Sequence, residues 1–295
     1  MTRPSTRAAG PPVRRPLPLL DRPAVLASGT APYRLSALLA AVAVAACLPT
    51  LLVPSLLGGP AVMVGSARGT ALVVLVVTVP VLLLSAHAAS RGSARGLVVW
   101  LGAVAHLAYQ GVLLCFATPI NSLFLLYVGV LGLAVHTGAL LLLRTDVAAL
   151  ASRWSRRTPV RPAAAVLGVV AGLNALLWVA RSLPVIGSDD PTSVVEGTGL
   201  TTNPVIVQDL GVWLPLALTA AWLLWQRRPA GLVAGAVVLV LWTLEGVTVA
   251  VDQLVGAQAD PSSEWATPEA AALFAVLAVV TAVPMALLLR ALDRR

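Results

Sequence analysis

Eight apolar runs, each close to the length that crosses a lipid bilayer, constrain this chain before anything else does. They fall near residues 35–57, 70–89, 96–117, 122–143, 163–186, 208–226, 230–251 and 269–290. A hydrocarbon core about 30 Å thick takes roughly 20 helical residues, and within it every backbone N–H and C=O needs a protein partner. The runs are continuously apolar rather than alternating, so they predict helices and not a barrel. The expected fold is all-α: a polytopic transmembrane bundle of about eight spans, with the lipid bilayer as its first partner. A composition of 58% hydrophobic and 11% charged residues agrees.

Charge placement predicts the orientation. All basic side chains are arginines, and they cluster before span one, after spans two, four and six, and at the C-terminus, with Arg68 and Arg181 the exceptions. Asp189, Asp190, Glu196, Asp260, Glu264 and Glu269 lie in or beside the opposite loops. By the positive-inside bias both termini face the cytoplasm, and a bacterial cytoplasmic membrane is the expected location. The net charge of +8 is spent on these loops; no basic stripe with interleaved aromatics points to nucleic acid.

Residues 1–33 are rich in Arg and Pro and read as a disordered cytoplasmic tail, a place for a protein partner to bind. Residues 34–295 form the membrane domain. Val147, Leu150 and Trp154 share one face at i, i+3 and i+7, fitting either a short helix on the inner membrane surface or a basic loop. An offset of 135 residues, the separation of Pro80 from Pro215, also superposes Gly96 on Gly231, Gly111 on Gly246 and Gln110 on Glu245. That fits two parallel four-helix halves, 34–144 and 162–291.

The stretches VPVLLLSAHAASRGSARGLVVWLG (79–102), INSLFLLYVGVLGL (120–133) and VQDLGVWLPLAL (207–218) resemble a broad group of uncharacterised bacterial multi-pass membrane proteins. The second span of that group opens Gly-Gln-Asp, where this chain has Gly69, Thr70 and Ala71. The resemblance implies a multi-pass helical fold and no activity.

Few residues are equipped for chemistry. Glu245 sits in LWTLEGV, inside the seventh run, about 9 Å below an end expected near Val251. A carboxylate there has to face protein or water, and Thr248 and Asp252 extend its face toward the acidic side. Arg181 is expected about 7 Å below an end near Ile186, which makes it the candidate counter-ion. Gln110, Asn121 and Asp209 fall on the same half of their spans, so the five residues Glu245, Arg181, Gln110, Asp209 and Asn121 form the candidate solute-binding set. An Arg181–Glu245 pair that only clamps the halves together fits equally well.

His106 and His136, at comparable depth, are the pair that a haem-binding redox protein would need. They have no paired spacing, and hydrogen bonds between helices fit them better. GVVAG (168–172) and GLVAG (231–235) are small-residue patterns for close helix approach. Cys47 and Cys115 lie in apolar runs outside any metal or disulfide spacing, and no Walker, HExxH, GxSxG or CxxC motif occurs. The sequence therefore calls for no cofactor and no metal and leans away from an enzyme. It leaves a small-solute transporter or binding permease beside a non-catalytic membrane partner or assembly protein.

Overall fold

The computed structural model describes residues 29–292. Among the described residues nine α-helices follow one another: α1 (Ala31–Leu52), α2 (Ala61–Ser90), α3 (Ala94–Phe116), α4 (Phe124–Arg144), the short α5 (Val147–Ala151), α6 (Val160–Ser182), α7 (Pro204–Trp225), α8 (Pro229–Ala259) and α9 (Pro268–Ala291). All but α5 are long and apolar enough to cross a membrane, so the chain is an all-α bundle of eight candidate spans. Of the expected tail only 29–33 is described, and Ala31–Tyr33 already belong to α1; residues 1–28 and Arg294 and Arg295 lie outside the described residues.

Chain-local chemistry sets the ends. α7, α8 and α9 open on Pro204, Pro229 and Pro268, where a missing N–H costs nothing because the first turn has no intrahelical acceptor for it. Ser93 caps α3 by accepting from Gly96 N at 3.0 Å, and Thr267 caps α9 by accepting from Ala270 N at 3.1 Å.

Two spans exceed their expected bounds. α2 begins at Ala61 instead of near 70, because the residues that read as a break are used inside it. Arg68 Nε donates to Leu51 O at 3.0 Å in the last turn of α1, where helix carbonyls lack intrahelical partners. Gly65 and Gly69 press on α8: a Cβ at Gly69 would lie 2.6 Å from Asp252 Cα, and one at Gly65 2.7 Å from Val255 O. α8 in turn continues past Asp252 to Ala259.

α3 is the central helix, with 72% of its apolar window buried against 22% for α6 and α9, whose exposed Leu and Val faces suit lipid. The 135-residue offset reappears in the backbone. A π-helical turn at Val74–Thr78 interrupts α2, and another at Asp209–Trp213 interrupts α7, each followed by Pro80 or Pro215. Gly96 packs on Ala88 and Ala89, and Gly231 packs on Leu223 and Leu224, the positions that the same offset pairs. Where α3 crosses α8, offset-related residues face each other: Gln110 meets Glu245, and a Cβ on Gly102 would lie 3.2 Å from Val237 O.

On the face that carries most of the arginines, three hydrogen-bonded ties join separate elements. Arg95 donates through Nε and Nη2 to Leu292 O at 3.1 and 2.9 Å, Trp154 Nε1 donates to Leu288 O at 2.9 Å, and Arg227 donates to Thr158 O. Leu150 and Trp154 are buried, and α5 packs under α8. The apolar side of this segment is therefore turned into the protein and not onto a membrane surface.

Candidate functional site

Glu245 lies near the middle of the 31-residue α8, about 21 Å from its Ala259 end, because the helix runs well beyond Val251. That is deeper than its apolar run suggests. Its side chain is 13% exposed and meets α3. Gln110 Nε2 donates to Glu245 Oε2, and His106 Nε2 lies 3.3 Å from the same oxygen. His106 is fully buried, and its ring is held at both nitrogens, by Thr78 Oγ1 at Nδ1 (3.2 Å) and by Thr248 Oγ1 at Nε2 (3.1 Å). The π turn in α2 supplies Thr78; such bulges are frequent at functional sites because they re-aim one side chain without ending the helix. Four groups from α2, α3 and α8 thus converge on one imidazole.

Asp209 belongs to a neighbouring cluster. It is the first residue of the α7 π turn and is buried, with Tyr109 donating to Oδ1 at 3.1 Å and Trp178 Nε1 to Oδ2 at 2.8 Å. These bonds join α3, α6 and α7. Glu245 is close enough to interact electrostatically with Asp209, Tyr109 and Asp252.

A cavity of about 180 Å³ opens above the buried network, on the acidic side. Asp252 and Gln253 of α8, Thr70 of α2, Thr118 just past the end of α3 and Trp265 of the last loop line it. Several lining residues are related by the 135-residue offset: Ala117 with Asp252, Thr118 with Gln253, and Thr70 with Val205. Asp252 is two helical turns above Glu245 on the same face of α8, with Thr248 between them.

The structure brings Gln110 to Glu245, sets Asp209 beside them, and leaves two of the expected set elsewhere. Arg181 does not pair with Glu245. α6 ends at Ser182, not near Ile186, so Arg181 stands exposed in the last turn, where a cation complements the carbonyl end of the helix dipole. Asn121 shapes the turn into α4, accepting from Leu123 N at 2.8 Å and donating to Pro119 O at 3.1 Å. His106 and His136 do not form a haem-ligating pair: His136 is exposed and bonded to Gly132 O of its own helix at 2.7 Å. Of the two flagged glycine patterns, Gly231 and Gly235 do approach α7 closely, whereas Gly172 has nothing within 4 Å of an added Cβ.

Sequence reasoning missed the Gly65-Ser-Ala-Arg-Gly69 pattern, Thr78, and the Tyr109 and Trp178 donors. The glycine spacing was a readable signal; the hydroxyl and aromatic residues were not, since spans commonly carry them without consequence. Among the described residues no group of three His, Cys, Asp or Glu is arranged to hold a metal ion.

No protein-family model, curated protein or solved structure matches the chain. The likeness to bacterial multi-pass proteins rests on the quoted stretches alone, and what stands is an integral membrane protein with eight apolar helices.

Proposed function

We propose that the protein is a small-solute transporter or binding permease of a bacterial cytoplasmic membrane, built from two parallel four-helix repeats, with its Arg-rich face and both termini cytoplasmic. The observation that carries this reading is the cavity's position. It opens on the acidic side, is lined by offset-related residues of both halves, and lies above a polar network at mid-helix depth. Solute sites in duplicated transporters lie near the bilayer midplane where the repeats meet. The ties among Arg95, Trp154, Arg227 and their carbonyl partners hold the elements of the other face together, which suits a conformation open to one side only. The Glu245–Gln110–His106 group and Asp209 are the candidate set, largely buried beneath a cavity whose own wall carries Asp252 and Gln253, while Arg181 and Asn121 drop out of it.

The test is accessibility from outside. With Cys47 and Cys115 changed to Ser, Thr70→Cys is expected to react with a membrane-impermeant thiol reagent on intact cells. Ser155→Cys, on the arginine-rich face, is expected to react only after the membrane is opened. A Thr70→Cys protein that stays unlabelled while a cysteine in the 260–264 loop reacts would remove the support for a solute cavity.

A further inference from the structure

Gln110 is fully buried and its Oε1 has no hydrogen-bond partner, although its amide nitrogen makes two contacts. An unpaired buried carbonyl is costly, so its persistence beside an intramembrane carboxylate asks for a cause. The protons around it can be counted. A Thr hydroxyl has one hydrogen, and Thr248 gives its own to Leu244 O at 2.8 Å. Thr248 Oγ1 therefore accepts from His106, which fixes a proton on His106 Nε2. That N–H is directed at Thr248 Oγ1, so His106 Nε2 offers no lone pair to Gln110 Nε2, 3.3 Å away, and Gln110 Nε2 has Glu245 Oε2 as its acceptor. This arrangement suits an ionised Glu245 and leaves the Gln110 carbonyl stranded.

Turning the amide over reverses the pattern. Oε1 would then face Glu245 Oε2, and two bare oxygens at that separation repel. One proton on Glu245 converts the repulsion into an O–H donated to Gln110 Oε1. We propose that Glu245, Gln110 and His106 form a proton-binding site in which uptake of one proton by the Glu245 carboxylate turns the Gln110 amide over. Hydronium in the acidic-side cavity gives up the proton: one of its O–H bonds breaks and leaves water, an O–H bond forms at Glu245, and the carboxylate charge disappears. Each state leaves one end of the amide unpaired, so neither orientation wins on hydrogen bonding alone and the proton decides.

The groups facing Glu245 suit such a site. α3 presents His106 and Tyr109, α7 presents Asp209, and α8 itself carries Asp252. α2 contributes the hydroxyls of Thr70 and Thr78, since Arg68 is turned to Leu51 O. α9 packs Ala278 on Gly246 and brings no titratable group there. Among the described residues the ion-pair partner of the carboxylate is His106, at 3.3 Å, and protonation of the carboxylate itself is the proposed way to discharge it. The role in coupling solute movement to protons rests on the proposed transport function; proton binding itself does not.

The chain has four glutamates, and Glu196, Glu264 and Glu269 are exposed. Changing those three to Gln and supplying glutamate with a ¹³C-labelled side-chain carboxyl leaves Glu245 as the single labelled acid, with its surroundings untouched. Infrared difference spectra of this protein in phosphatidylcholine vesicles, between alkaline and acidic buffer, are expected to show a labelled carboxylate band replaced reversibly by a labelled C=O band. With Gln110→Leu added, the C=O band is expected to move to higher frequency, because the acid has lost its acceptor. A labelled group that never changes protonation state across the range would overturn the proposal, and so would a band identical with and without Gln110. Thiol labelling of the cavity reports solute access separately, so the two readings fail independently.

Discussion

Removing the imidazole of His106 takes a polar neighbour from Thr78, Thr248, Gln110 and Glu245 at once. His106→Ala is therefore expected to lower stability by about 3 kcal/mol, combining a buried cavity with unpaired polar groups. His136→Ala is expected to stay within about 0.5 kcal/mol, because that ring is exposed and bonded to its own helix. Thermal unfolding of the two variants in one detergent measures the difference, and equal losses would contradict the network. At this scale the sequence disclosed Glu245 and Gln110 because polar groups stand out in an apolar run. It could not disclose their partner, which depends on how α3 and α8 are rotated about their axes. Arg181 illustrates the limit: one turn of error in the end of α6 turned a terminal cation into an intramembrane counter-ion.

Helix ends and close crossings belong to the next scale up, and there glycine separates a span from a contact. The pair Gly65 and Gly69 lets α2 run against the α8 backbone, and Ser66 Oγ reaches Asp252 O at 3.4 Å. A side chain at Gly69 would have to displace Asp252 Cα, which cannot rotate away as a side-chain tip can. Gly69→Val is expected to cost about 1–3 kcal/mol or more and to shift the cavity wall that carries Asp252. Gly172→Ala, which meets nothing within 4 Å, is expected to be neutral or to stabilise by up to about 1 kcal/mol through helix propensity. Unfolding midpoints check this, and a Gly172 variant as damaged as the Gly69 variant would refute it. The eight spans were legible because length and continuous apolarity are local properties. Which glycine pattern is used was not, because GVVAG and GSARG differ in their neighbours and not in their spacing. The π turns were equally hidden, for no residue in Val74–Thr78 departs from ordinary helix formers in lipid.

For the whole molecule, the decisive relation is that Gln110 and Glu245 are counterparts under the 135-residue offset and also touch. In the proposed two-repeat arrangement such counterparts meet near an axis that exchanges the two halves, and the pairs Ala117 with Asp252 and Thr118 with Gln253 line the cavity. Such an axis makes the carboxylate transferable. Exchanging the two residues, Gln110→Glu with Glu245→Gln, keeps one acid and one amide in contact. It also keeps the acid beside the imidazole, because Gln110 Nε2 is itself 3.3 Å from His106 Nε2. The exchange is expected to unfold within about 1 kcal/mol of the native protein, whereas Gln110→Glu alone, with two carboxyl groups in contact, is expected to lose about 1–3 kcal/mol. A double variant that loses as much as the sum of its single variants would mean that the two sides of α3 and α8 are not equivalent. The 135-residue match would then be a coincidence of apolar composition, and the transport reading would lose its duplicated frame while the buried proton site remained.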